Sequence, residues 1–180
     1  MRHWIDGPLG WIHGRWMTGE ETNVVFFRGT CLDSLTRGLL GQHRRPRAYG
    51  KGDDWGVLMH DMHAWDCGAT GDYAGAHYTA LCPPGAELAV FITEPCLAKA
   101  HGPWFEYYRD GRLHTALTFE SLGDGTGHAP DHFLPALTEA RLTGPLTEAD
   151  ERDHEERTVA AITRFLGLPE LEVAMPSTAP

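Results

Sequence analysis

The sequence predicts an α+β domain: a single antiparallel sheet with an N-terminal strand–helix unit and two C-terminal helices packed on it. Three observations carry this expectation. Val24-Val25-Phe26-Phe27 is a short β-branched and aromatic run, followed at once by Leu32, Leu35 and Leu39 at helical spacing. Asp110-Gly111 separates two strand-like runs, 104–109 and 112–120, as a type I′ hairpin turn does. Two helical stretches close the chain, 132–142 and the one opening at Thr147. Strands that run together, with helices after them, give α+β order.

Taken in order, residues 1–22 hold Trp4, Trp11 and Trp16 without a clean period, and read as an irregular arm anchored by its aromatic rings. After the strand at 24–27, Thr30 is the expected N-cap with Asp33 completing the box, and Gly41 the expected left-handed residue that ends the helix. Arg44, Arg45, Arg47 and Lys51 cluster with His43 in a Gly/Pro-flanked stretch. This reads as a solvated basic loop, with an anion contact as the sharper alternative. Trp55–Met62 and His63–Thr70 read as strands, and Tyr73–Leu81 as a short helix stopped by Pro83-Pro84-Gly85. Leu88–Thr93 is a buried strand by composition, and 123–130 a glycine-rich loop. Pro135 fits the helix at 132–142 only in its first turn. The last helix has an acidic first half, Glu148 to Glu156, and an apolar stripe of Val159, Ile162 and Leu166. The whole chain, 1–180, reads as one domain, with a core over 23–168 and a frayed tail over 174–180.

With 180 residues, 42% of them hydrophobic, the chain has material for one sizeable core. Its formal net charge of −10 argues against sequence-independent nucleic-acid binding and against adhesion to an anionic membrane. Cys31, Cys67, Cys82 and Cys96 form no C-x-x-C pair, so they read as reduced thiols. The N-terminus lacks a signal-peptide pattern, which makes the cytoplasm the expected compartment.

Candidate site residues come from register and spacing. If Arg109 pairs with Arg112, then Tyr107 faces His114 and Phe105 faces Ala116, with Thr118 and Glu120 continuing that side. Trp104, Tyr108, Leu113, Leu117 and Phe119 then form the opposite, core-facing side. His114 and Glu120 are the candidate catalytic pair, although three two-residue steps of roughly 7 Å lie between them. Tyr107 on the same face is a candidate ligand contact. Arg28, ending the first strand just before a helix N-terminus, is another, unless a neighbouring carboxylate takes it. His60, Asp61 and His63 are the candidate metal ligands. On a strand, however, His60 and His63 point to opposite faces, which works against one ion held by both. No cofactor is expected. The chain has no G-x-S-x-G elbow, P-loop or dinucleotide fingerprint.

Several stretches together resemble an uncharacterised family of actinomycete proteins, a domain of unknown function. They are Val24-Val25-Phe26-Phe27-Arg28-Gly29 with the helix ending Leu39-Leu40-Gly41, Trp65 with Gly75, and Gly85 opening a G-x-x-L-x-V strand. Phe105 through Asp110-Gly111 to Phe119-Glu120 belongs with them, as does Pro130-Asp131 before Phe133-Leu134. The resemblance spans about Asn23 to Leu168 and implies the same fold and a cytoplasmic place; it implies no activity. The functional expectation is a non-catalytic interaction or accessory/regulatory module of a cytoplasmic bacterial system. Its partner would be another protein, of basic surface, rather than nucleic acid or a membrane, and a homodimer is compatible with it. The alternative is a small tailoring or hydrolytic enzyme using a His/carboxylate site, with or without a metal, on one face of the sheet.

Overall fold

The computed structural model describes residues 2–4, 22–71, 74–92, 103–144, 154–168 and 172–174. The first elements are β1 (Arg2–Trp4), β2 (Thr22–Arg28), α1 (Leu32–Gly41), β3 (Pro46–Lys51) and β4 (Gly56–Asp61). Two single-turn helices follow, α2 (Cys67–Thr70) and α3 (Tyr78–Leu81). Then come β5 (Glu87–Ile92), β6 (Trp104–Arg109), β7 (Arg112–Thr118) and β8 (Ser121–Thr126). Helices α4 (Leu134–Glu139) and α5 (His154–Leu166) and the strand β9 (Glu172–Ala174) complete the described chain.

The fold is α+β. One sheet runs in the order β1-β9-β3-β4-β2-β5-β6-β7-β8, and every neighbouring pair is antiparallel. Seven strands make its body, and the three-residue strands β1 and β9 extend it beyond β3. Alternation along β2 explains why its apolar run is unbroken, because both faces of the sheet are covered. Val24 and Phe26 look toward α4 and α5, where Phe91, Phe105, Phe133, Val159 and Ile162 close a core. Val25 and Phe27 look toward α1 and α3, with Leu35, Leu39, Leu58, Leu88 and Tyr78. The Val159/Ile162 stripe of the last helix is buried as its spacing predicts.

Several local expectations are corrected. The N-cap of α1 is Cys31, not Thr30, and no side chain caps it. Gly41 stays helical, and the left-handed residue is His43 (φ 59°). The His43 N–H donates to Leu40 O (3.0 Å) and the Arg44 N–H to Leu39 O (2.9 Å), a Schellman closure built on histidine. The basic stretch is not a solvated loop: Arg47 and Lys51 lie on the strand β3, where Arg47 pairs with Asp61 across the β3–β4 ladder, and Arg44, just before the strand, is buried. Residues 63–70 form a turn and α2 instead of a strand, and of the described part of the expected 73–81 helix, residues 74–81, only Tyr78–Leu81 is helical. Much of the glycine-rich stretch forms β8. Helix α4 is shorter than expected, with Pro135 in its first turn. In the N-terminal arm residues 2–4 are strand, and Ala174 belongs to β9. Thr22 opens β2, and the rest of that arm, the acidic run before His154 and residues 175–180 lie outside the described residues.

The Asp-Gly hairpin forms as expected, with positive φ at Asp110 (52°) and Gly111 (74°). Its register then slips. Arg109 faces Arg112 and Tyr108 faces Leu113, but Tyr107 faces Thr115 and Phe105 faces Leu117. His114 is the extra residue of a β-bulge. The loop after β8 fixes it: the Ala129 N–H donates to His114 O (2.8 Å) and the Thr115 hydroxyl to Ala129 O (2.7 Å). Gly127 permits that approach, since a Cβ there would lie 2.7 Å from His114 O. The slip turns Leu117 and Phe119 into the core under α4 and α5, away from the side of Trp104 and Tyr108.

A polar cavity on the α1/α3 face

Register alone assembles one row of side chains on the α1/α3 face. Asn23 of β2 pairs with His60 of β4 and with Ile92 of β5, and Ile92 pairs with Trp104 of β6. Glu106 and Tyr108 continue along β6 at the two-residue step that keeps them on this face. Tyr78 of α3 covers the row. It is held there because Arg44, buried at 4% exposure, donates to the carbonyls of Met62 and Ala74 and so ties down the connection from β4. Between these groups lies a cavity of about 280 Å³, lined among the described residues by Asn23, His63, Tyr78, Trp104, Glu106 and Tyr108 with Met62, Gly75, Ala76 and Ile92. That is room for roughly nine waters, the small end of the range for ligand sites.

The direction of the hydrogen bonds through His60, Tyr78 and Asn23 follows from one carbonyl. His60 is fully buried, its Nδ1 lies 2.8 Å from Asp61 O and its Nε2 lies 2.8 Å from the Tyr78 hydroxyl. A carbonyl only accepts, so Nδ1 carries the hydrogen. Burial pulls the imidazole down to a pKa of about 4, so at neutral pH Nε2 is an acceptor and Tyr78 donates to it. Tyr78 then accepts from Asn23 Nδ2 at 2.7 Å. The amide is thereby oriented, and its other end, Oδ1, is left buried without a partner on a residue only 2% exposed. The Tyr108 hydroxyl donates to Glu106 Oε2 (2.8 Å), and burial raises the Glu106 pKa above the ordinary carboxylate range. The indole N–H of Trp104 is also buried without a partner. A carboxyl group among aromatic rings and an amide side chain around one cavity can hold and orient a small molecule. Glu106 is also suited to exchanging a proton with it.

His60 makes stability depend on pH. Unfolded, the imidazole takes a proton below about 6.5; folded, it resists until about 4. Its stabilising contribution is therefore complete above about 6.5 and is lost as pH falls toward about 4, amounting to about 3 kcal/mol. Urea denaturation between pH 7 and 4.5 should show this slope in the native protein and a shallower one in His60→Gln. Equal slopes would remove His60 as the source.

The residues expected from sequence fall elsewhere or play other parts. Arg28 is occupied: its Nη1 donates to Asp54 (2.8 Å), its Nη2 to both Glu87 oxygens (3.1 and 3.0 Å), and it stacks 4.5 Å over Trp55. Tyr107 donates to the same Glu87. The two candidate ligand contacts thus do meet, through a carboxylate the sequence reading had not singled out. His114 does meet Tyr107, edge to face at 5.5 Å, although the bulge removes their pairing. His132 joins them, stacked on Tyr107 at 5.5 Å and edge-on to His114 at 4.7 Å. Burial lowers both histidine pKa values, with the neighbouring imidazoles adding to it. Glu120 lies in the turn between β7 and β8, six residues along the chain from His114, so the two do not form one row on a strand. Asp61 turns to the opposite side of the sheet from His60, and the strand ends there, so the turn at Met62 brings His63 back to the cavity. Among the described residues no group of three His, Cys, Asp or Glu side chains is placed to hold a metal ion.

Asn23, Tyr78, Trp104, Glu106 and Tyr108 were not among the sequence candidates. One signal was available: Glu106 has the same parity as Trp104 and Tyr108, which the hairpin reading assigns to the core. A carboxylate on a core-facing position is the observation that points to a site. Among the described residues no helix is long and apolar enough to cross a membrane. Comparison of the chain with protein-family models, with curated proteins and with solved structures found no match.

Proposed function

We propose that this chain is a small-molecule-binding accessory or regulatory module of a bacterial cytoplasmic system, with the cavity under Tyr78 as its site. One observation carries the reading: Asn23, His63 and the Glu106 carboxyl converge on one cavity walled by the aromatic side chains of Tyr78, Trp104 and Tyr108. A few polar groups converging on an aromatic-lined concavity are the usual make-up of a small-molecule site. Free thiols at Cys31, Cys67 and Cys82 support the cytoplasmic placement. The catalytic alternative uses the same cavity, with Glu106 in place of His114 and Glu120 as the proton-exchanging group.

The test is native mass spectrometry of the untagged protein without chelator, followed by ligand-observed NMR with a fragment set of neutral, cationic and anionic members. Ala76→Phe fills the cavity from its wall without touching a polar group. A fragment, or a co-purified mass, that binds the native chain and is lost in Ala76→Phe supports the proposal. A clean apo mass with no saturable fragment overturns it, and so does binding unchanged by Ala76→Phe.

A second reading is docking to a basic protein partner. It is supported by the net charge of −10 and by Glu155 and Glu156 in the first described turn of α5. Charge reversal at Glu151, Glu155 and Glu156 that leaves binding to a captured partner unchanged removes its support.

A further inference from the structure

We infer that the cavity takes a small organic ammonium ion, with Glu106 as its counter-ion and Trp104, Tyr78 and Tyr108 as its walls. The inference rests on the small-molecule reading and names the ligand class.

The argument begins with what the wall can offer. Tyr78 commits its single O–H to His60, and Tyr108 commits its own to Glu106. What both phenols have left for a guest is oxygen lone pairs and ring faces. Glu106 adds carboxylate oxygens. Acceptors and aromatic walls therefore dominate, and the guest they fit is a donor.

Charge points the same way. Neither lysine nor arginine is among the described lining residues, and His63 is the one lining side chain able to carry positive charge. Arg44, the nearby guanidinium, is already bonded to two backbone carbonyls. Glu106 is half-buried, accepts a hydrogen bond from a neutral phenol, and burial already lifts its pKa. A carboxylate in that position is unfavourable until a cation compensates it. Ring walls favour the same guest, since tryptophan and tyrosine faces attract ammonium groups, most strongly where water is excluded. The cavity of about 280 Å³ limits that guest to a compact molecule.

Titration calorimetry on the full chain tests this with methylammonium, tetramethylammonium and choline. The comparison compound is 3,3-dimethylbutan-1-ol, which has the shape of choline without its charge. Saturable binding of at least one cation is expected, with the neutral isostere at least about tenfold weaker than choline. Glu106→Gln keeps the side-chain shape and should erase the preference for charge. Trp104→Leu removes an aromatic wall and should weaken the cation by a similar factor, which keeps the test available if the first variant folds poorly. Equal affinity for choline and its isostere overturns the inference, and so does undiminished cation binding in Glu106→Gln. A neutral fragment that Ala76→Phe excludes, with no cation bound, also overturns it while the cavity reading stands. If no compound of any charge binds, both readings fall together.

Discussion

Phe105→Ala is expected to lower the free energy of unfolding by about 3–5 kcal/mol, the largest effect of any single truncation considered for this fold. Phe105 is fully buried at the centre of β6, and its ring lies 4.7 Å from Phe91 and 5.2 Å, edge to face, from Phe133. It therefore joins the sheet to the chain leading into α4. Its removal forfeits the transfer of an aromatic ring out of water and leaves a void that close-packed neighbours only partly fill. Urea denaturation measures the loss. A change below about 1 kcal/mol would mean that the α4/α5 layer collapses onto the gap, contrary to the rigid packing described. Because Phe105 faces away from the cavity, ligand affinity measured on the folded fraction should be unchanged.

Tyr78→Phe is expected to be nearly as damaging, for a different reason. The ring is kept and only one oxygen goes, yet that oxygen serves two buried groups, the Asn23 amide at 2.7 Å and His60 Nε2 at 2.8 Å. Stranding a buried polar group costs about 1–3 kcal/mol, and here two are stranded at once. The variant should also bind any cavity ligand more weakly, since Tyr78 and Asn23 both line the cavity and lose the hydrogen bond that fixes them there. A double-mutant cycle with His60→Leu separates the contributions: if the chain of hydrogen bonds acts as a unit, the second substitution adds less than its own single effect. Full additivity would show that Tyr78 and His60 contribute independently.

How much of this was legible in the sequence depends on whether local chemistry or distant contacts decide an element. The β2 strand, the Asp-Gly turn and the stripe of α5 are settled by adjacent residues, and each lies where its pattern places it. Strand β3 was not legible, because arginines suggest a solvated loop unless their carboxylate and carbonyl partners are known, and Asp61, Met62 and Ala74 lie well away in sequence. Strand β8 was hidden by its glycines. It is a strand because β7 offers it an edge and because Gly125 fits against Pro130 O, where a Cβ would lie 2.4 Å away. The cavity was the least legible feature. Its described residues come from three strands, a single-turn helix and the connections beside them, and apart from His63, a sequence candidate for metal binding, they carry no recognisable spacing. The parity of Glu106 was the one trace the sequence held.

The position of β2 has a consequence for how the chain reaches this state. Strands β5 to β8 are successive neighbours and assemble through local pairings. Strand β2 must instead find β5 some sixty residues later in the chain, with Val24 opposite Phe91 and Asn23 opposite Ile92. Pairings of such long sequence separation carry the larger loop-closure penalty and set the pace of folding. The cavity straddles that seam, with Asn23 on one side and Trp104, Glu106 and Tyr108 on the other. The pocket exists only once the two halves of the sheet have joined. A molecule lodged in it acts as a late clasp: it slows their parting and leaves the speed of their meeting unchanged.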